Sequence, residues 1–238
     1  MITLAFDSTA KVATVAVLSD ERVIASYTID NGFTQSELLL PMAEDMLGSL
    51  SLSFSNIGLF ACSVGPGSFT GVRIGAALVK GLAFGKGIPC CEVSSIEALA
   101  HNLLGIREGI VAPVMDARRG QVYTAIFRIE DGKIERLTDD LALPLADLYA
   151  LLRKQECENI YLVGDGYAIA SSYMSQNGLK INGTPDILRS QNASSVAKVA
   201  LRLYAEGKAT DDIKLSPTYL RLPQAERERL EREGSKNS

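Results

Sequence analysis

Ile57-Gly58-Leu59-Phe60-Ala61-Cys62-Ser63-Val64 is a nearly continuous apolar run of strand length. It passes directly into Gly65-Pro66-Gly67-Ser68-Phe69-Thr70-Gly71 and then into a helical stretch, Val72 to Lys86. Strand, glycine loop, helix is a building unit of α/β proteins. Glycines at such a junction let backbone N–H groups converge on an anion, and the helix dipole adds to the attraction. Gly65, Gly67 and Ser68 are therefore candidates for holding phosphate. The spacing G-x-G-x-x-x-G matches neither the dinucleotide fingerprint nor the P-loop, and a tight structural turn stiffened by Pro66 is the competing reading.

Upstream, Ile2 to Phe6 and Val12 to Leu18 read as a hairpin around Asp7-Ser8-Thr9-Ala10-Lys11, with Val23 to Thr28 as a third strand. Thr34-Gln35-Ser36-Glu37 has the form of a capping box and predicts a helix over Gln35 to Leu50, bent or delayed by Pro41. Downstream, Pro89 to Val93 is a strand, and Ser94-Ser95-Ile96-Glu97 caps a helix that stops at Gly105. The second half then restarts in the same order. Ile110 to Met115 ends at Asp116 as the first strand ends at Asp7. Gln121 to Ile129, the turn Asp131-Gly132 and Lys133 to Leu137 follow, then a helix at Leu145 to Lys154, a strand at Ile160 to Val163, a helix opened by Gly164-Asp165-Gly166, and a last helix from Ala193 to Glu206. Duplication of a strand-hairpin-helix unit explains this order. It divides the chain into a lobe over 1–105, a lobe over 106–222 and a tail over 223–238, whose dense Arg and Glu predict a solvated, frayed helix.

Within a duplicated frame, Asp7-Ser8-Thr9 and Asp116-Ala117-Arg118-Arg119-Gly120 become facing hairpin loops that would bracket a nucleotide, with Asp7 holding a hydrated magnesium ion. Without the duplication, both aspartates are strand ends that accept turn hydrogen bonds.

The 238 residues carry 24 Lys and Arg against 28 Asp and Glu, a net charge of −4, which excludes a strongly basic nucleic-acid binder. The basic residues look scattered or interleaved with acids, so weak binding of any nucleic acid by the chain alone is expected. No long uncharged apolar run and no signal-peptide layout occur, which predicts a cytoplasmic protein with no membrane association. Cys62, Cys90, Cys91 and Cys157 lack paired spacing and read as free thiols. One histidine, His101, cannot by itself build the imidazole partnerships of zinc sites or catalytic triads.

The stretch Val72 to Lys86 has interior glycines at Gly75, Gly81 and Gly85, each costing about 1 kcal/mol relative to Ala in a helix. Its faces are nearly all small or apolar, so burial on more than one side is expected. The preceding helix offers Leu39, Met42, Ala43, Met46 and Leu47 at helical spacing. Together with Ile74, Gly75, Ala77, Leu78, Gly81 and Leu82 they form a candidate protein interface, against the alternative of an internal core.

Ser63 to Gly75, Lys80-Gly81-Leu82-Ala83, Val93-Ser94-Ser95, Asp116 to Tyr123 and Pro217-Thr218-Tyr219-Leu220-Arg221 together resemble the bacterial TsaB (YeaZ) family. The resemblance implies an actin/Hsp70-like fold of two duplicated α/β lobes, with mixed sheets flanked by helices. It implies membership of the assembly that forms N6-threonylcarbamoyladenosine at position 37 of tRNAs reading codons that begin with A. In that family the subunit is a non-catalytic paralogue of the transferase TsaD, is joined by the ATPase TsaE, and forms a homodimer when alone through helices corresponding to Gln35 to Leu50 and Val72 to Lys86. It reaches tRNA only through the complex and requires no cofactor of its own, while the complex can take ATP or ADP with magnesium. The catalytic relative holds metal through two histidines one helical turn apart, and here Gln35 and Ser36 stand near the start of that helix. Two enzyme readings compete with the scaffold: a phosphotransferase using the paired loops as an ATP cleft, with Asp116 as base or second metal ligand, and a glycoprotease-like peptidase, which the missing metal pair disfavours.

Overall fold

The computed structural model describes residues 1–221, so the charged tail from Gln224 lies outside the described residues. The first sheet contains β1 (Ile2–Asp7), β2 (Ala13–Ser19), β3 (Arg22–Ile29), β4 (Ile57–Gly65) and β5 (Cys90–Ser94), in the order β3-β2-β1-β4-β5. β1, β2 and β3 pair antiparallel, whereas β4 runs parallel to β1 and β5 parallel to β4. Parallel neighbours need crossover connections, which α1 (Gln35–Ser49) and α2 (Phe69–Ala83) supply.

The second sheet contains β6 (Glu108–Asp116), β7 (Gln121–Thr124), β8 (Phe127–Glu130), β9 (Lys133–Arg136), β10 (Leu141–Pro144) and β11 (Ile160–Val163). β7 and β8 pair with β6 in a single register, from Asp116↔Val122 to Glu108↔Glu130. They are one strand, as Gln121 to Ile129 predicts, interrupted where the register brings it opposite Pro113, which has no N–H to donate. β9 and β10 continue along its outer side, and β11 runs parallel to β6 on the other. The arrangement repeats that of β3-β2-β1-β4, with α4 (Leu145–Arg153) and α5 (Tyr167–Gln176) where the first half has α1 and α2. The repeat extends to backbone geometry: Gly65 and Gly164, at the ends of β4 and β11, share φ of 116°.

Both faces of each sheet are covered. α1 and α2 pack on Leu4, Phe6, Val15, Val17 and Phe60 of the first sheet. Its other face bears Ala5, Ala16, Leu59 and Ala61, and these meet Ala193, Ala197 and Ala200 of α6 (Ala193–Ala205). Small residues on both sides permit close approach. On the second sheet, α4 and α5 cover one face, while Ile96 and Leu99 of α3 (Ser95–His101) cover the other with Val111, Phe127 and Val163. The two halves thus exchange helices: α6, assigned from sequence to the second lobe, lies on the first sheet, and α3, assigned to the first, lies on the second. A half-buried ionic knot fastens the exchange, with Glu97 of α3 bound to Arg136 of β9 at 3.1 Å and also to Arg202 of α6. Among the described residues no helix is long and apolar enough to cross a membrane.

Three local expectations change. α1 starts at Gln35 and runs unbroken past Pro41; instead of a capping box, the Thr34 hydroxyl donates to the Glu37 carboxylate at 2.8 Å. α2 begins at Phe69, three residues before Val72, because the Ser68 hydroxyl caps it by accepting from Gly71 N at 3.2 Å. The second half of the glycine loop is therefore the first helical turn. Finally, Leu39, Met42, Ala43, Met46 and Leu47 are not an interface. All five are buried in the core under the first sheet, since the apolar stripe of a helix is satisfied first by its own sheet. Gly75 is likewise buried.

Met46→Ala should therefore destabilise the isolated chain by about 2–5 kcal/mol through the cavity it leaves. Urea unfolding should show a lower midpoint with an unchanged slope; an interface residue would leave that midpoint nearly unmoved.

Candidate functional site: the cleft between the two sheets

A cleft of about 530 Å³ opens where the β1–β2 loop and the start of α2 face the β6–β7 loop. Of the seven residues expected to hold a nucleotide, Thr9, Gly67, Ser68 and Asp116 line it, whereas Asp7, Ser8 and Gly65 lie behind its wall. Asp7 is buried, and both of its oxygens are engaged by the chain itself. Oδ1 accepts from Thr9 N at 2.8 Å and Thr9 Oγ1 at 2.7 Å, and Oδ2 accepts from Ser63 Oγ at 2.6 Å. Burial pushes this carboxyl above the usual range, against the pull of the three donors. Asp7 therefore does not present a free carboxylate to a magnesium ion in the cleft.

Ser8 Oγ donates to Gly71 O at 2.8 Å, and Ser68 N donates to Thr9 O at 2.7 Å. A Cβ at Gly71 would strike the Ser8 carbonyl, and one at Gly67 would strike the Thr9 carbonyl. The glycines thus bring the hairpin loop against the start of α2, which is the structural reading of the loop.

Asp116 is exposed, and its Oδ1 accepts from Arg118 N at 2.7 Å. Its own N–H donates to Asp165 Oδ1 at 3.1 Å. Burial raises the Asp165 carboxyl above its ordinary range, and the neighbouring Asp116 charge adds to this while Lys11 and hydrogen bonds oppose it. Asp165 is the part of the acidic floor that sequence reading missed, although Gly164-Asp165-Gly166 marked its loop. His101 does not line the cleft. Its Nδ1 lies 2.9 Å from Glu97 O, and burial lowers its basicity.

Pro217 to Arg221 gains a role that its sequence did not disclose. After a bridge between Thr210 and Cys90, the chain places the Ile213 and Leu215 carbonyls on Lys80 Nζ at 3.0 Å each. Thr218 N then bonds Val64 O, and Arg221 reaches the Ala117 carbonyl on the opposite wall at 3.1 Å. Tyr219 accepts from Arg73 Nε at 2.8 Å while the Arg73 guanidinium stacks 3.8 Å from the Phe69 ring centre. The segment is a strap joining the two halves along the cleft.

On the far side of α2, Ala77 and Gly81 are exposed, and Ile74, Leu78 and Leu82 are half-buried. Phe84, just past the helix, is 77% exposed and extends this surface. Sequence reading missed it by running the helix through to Lys86.

Two sheets of repeated topology, flanked by helices and opening on a shared cleft, define a protein of the actin/Hsp70-like class. Residues 34–228 match the family model described as TsaD: tRNA N6-adenosine threonylcarbamoyltransferase. The chain is 32% identical to the tRNA threonylcarbamoyladenosine biosynthesis protein TsaB of Bacillus subtilis (strain 168), over 97% of this chain and 99% of that protein. It is 28% identical to the protein of the same name from Escherichia coli (strain K12), over 92% and 94%. It also superposes with a TM-score of 0.78 on the crystal structure of a Pseudomonas aeruginosa protein described as similar to peptidase YeaZ, at 25% identity over 92% of this chain and 99% of that one. The chain belongs to the TsaB family.

The raised Asp7 carboxyl sets a pH signature. The folded state holds that proton more tightly than the unfolded one, so this group's contribution is fully present at low pH and is lost as pH rises through the folded value. The stability of the native chain minus that of Asp7→Asn should fall as pH rises from the ordinary aspartate range, with a slope no steeper than about 1.4 kcal/mol per pH unit. Paired urea titrations measure it; a difference that grows with pH would mean the three donors outweigh burial.

Proposed function

We propose that this chain is a non-catalytic accessory subunit in the formation of N6-threonylcarbamoyladenosine on tRNA, pairing with a catalytic TsaD-type paralogue and working with a TsaE-type ATPase in the cytoplasm. The observation that carries the reading is the outer face of α2, where Ile74, Ala77, Leu78, Gly81 and Leu82 leave a small, apolar surface beside exposed Phe84. Gly81 and Ala77, the small residues exposed at this face, let a second helix approach closely. The relatives' names place TsaB proteins in threonylcarbamoyladenosine biosynthesis. The same face would serve a homodimer when the catalytic paralogue is absent.

The non-catalytic part of the reading is supported by what occupies the relevant positions. α1 opens with Gln35 and Ser36; Gln35 Nε2 donates to the Ala10 carbonyl at 3.0 Å, so this side chain ties α1 to the hairpin loop. The imidazole of His101 lies against the Glu97 carbonyl of its own helix and does not line the cleft. Among the described residues no three His, Cys, Asp or Glu side chains are grouped to hold a metal ion. The phosphotransferase reading loses its magnesium ligand with the burial of Asp7.

The test introduces charge at positions where the isolated fold tolerates it. A Cβ at Gly81 meets nothing within 4 Å, and Ala77 is exposed, so Ala77→Glu with Gly81→Glu should change the stability of the isolated chain by no more than about 0.5 kcal/mol. Gly75→Arg would be a poor choice, because its Cβ would sit 2.9 Å from Ser8 Oγ. A pairing that buries on the order of 1,600 Å² around this stripe should weaken at least a hundredfold in the double variant. Gel filtration with the TsaD-type partner reads it, and an unchanged heterodimer would refute the proposed face.

A further inference from the structure

Five of the basic residues that look scattered along the chain are gathered in space around one opening. Lys11 comes from the β1–β2 loop, Arg118 from the β6–β7 loop and Arg221 from the strap, and all three line the cleft. Arg119 adjoins Arg118, and Arg73 is held on Phe69 and Tyr219, which also line the cleft. Among the described residues none of these five lies within salt-bridge distance of a carboxylate. Arg128, Arg136, Arg189 and Arg202 are each paired with an acid, whereas among the described residues Arg22, Arg107 and Arg153 are not, so the five are set apart by their shared position at the cleft and not by the lack of an acid alone. In a chain of net charge −4 this is a local reversal of sign.

The floor and the rim of the cleft differ. The floor holds Asp116 and Asp165, and the loop amides Ser68 N and Gly71 N are spent on the Thr9 carbonyl and the Ser68 hydroxyl. A phosphate pressed to the floor would meet negative charge. The rim instead offers cations from both halves of the molecule and the ring of Tyr219, 41% exposed. Cations spread along an edge, with an aromatic face among them, suit a run of phosphates with unstacked bases better than a single buried anion. We infer that the rim formed by Lys11, Arg73, Arg118, Arg119 and Arg221 is a contact surface for the phosphate backbone of RNA, through which this subunit holds tRNA once paired with its catalytic partner. The inference rests on the proposed accessory role, which supplies the RNA and the partner. Five cations are too few for tight binding by the isolated chain, in keeping with the weak binding expected from its overall charge.

The experiment uses the full chain paired with a TsaD-type partner and an unmodified tRNA transcript whose anticodon reads a codon beginning with A. Binding is measured across a salt series for the native chain, for Arg118→Glu with Arg119→Glu, and for a control of equal charge change on the β8–β9 hairpin, Arg128→Glu with Lys133→Glu. The rim variant should bind about tenfold more weakly, with a log–log salt slope shallower by about 1.4–1.8, while the control changes less than twofold. Equal losses in both variants, or none in the rim variant, overturn the inference. Should the double variant fail to fold, Lys11→Glu on the other wall carries the same test, with an expected loss of about threefold. If the native chain and its partner elute separately, the accessory reading has failed. The series then runs on the isolated chain, where weak, salt-steep binding that the rim reversals abolish supports the surface and binding indifferent to them rejects it.

Discussion

The backbone of Ser8 and Thr9 lies so close to the start of α2 that no side chain fits between them. Much of the site follows from this approach. Gly67 and Gly71 are required by it, Ser68 N and Ser8 Oγ seal it with hydrogen bonds, and Asp7 is drawn under the loop, where Thr9 and Ser63 satisfy its carboxyl. A loop that would otherwise cradle an external phosphate is filled by its own hairpin. The glycines are the same either way, which is why residue type alone left the two readings open.

The duplicated order of elements was legible because it is written in periodicity and punctuation: apolar runs of strand length, turns at Asp131-Gly132, caps at Ser94 and Asn192. The Ser94 hydroxyl caps α3 as expected, accepting from Glu97 N, and the Asn192 side-chain oxygen caps α6 by accepting from Ser194 N. What the sequence could not disclose was which sheet a helix covers. α3 and α6 are amphipathic with small or aliphatic stripes that would suit either sheet, and only the closed structure decides that each crosses to the other half. The interface residues failed for a related reason. Leu39, Met42 and Met46 have the spacing of a buried face, and spacing does not say whether a sheet or another chain does the burying. α2 divides its small residues: Gly71 and Gly75 are buried against the hairpin loop, while Ala77 and Gly81 face outward, and residue type alone does not separate the two sets.

The exchange of α3 and α6 also bears on how the two halves move. Hinged opening of a two-lobed molecule needs an interlobe boundary that slides or parts. Here Glu97 is held from both sides by Arg136 and Arg202, Asp140 accepts from Arg136 and from Ser94, and the strap ends on the Ala117 carbonyl. Glu97, Arg136 and Asp140 are half-buried, so parting them leaves charges partly desolvated without partners. A frame fastened in this way favours a fixed cleft over a working hinge.

A fixed frame changes what selection can use it for. In a hinged enzyme the cleft is the working part and the outer helices follow it. With the cleft tied across by its own strap and Asp7 buried, the surfaces that do not depend on closure are the outer face of α2 and the rim of the cleft. The first is apolar and small, and the second is cationic; they differ in chemistry but meet at the start of α2, where Arg73 stands four residues before Ala77 on the same exposed helix face. Arg73 is turned toward the cleft by its stacking on Phe69 and Tyr219, so the cationic rim begins where the apolar stripe ends, and whatever covers the stripe bears on the first of the rim's charges.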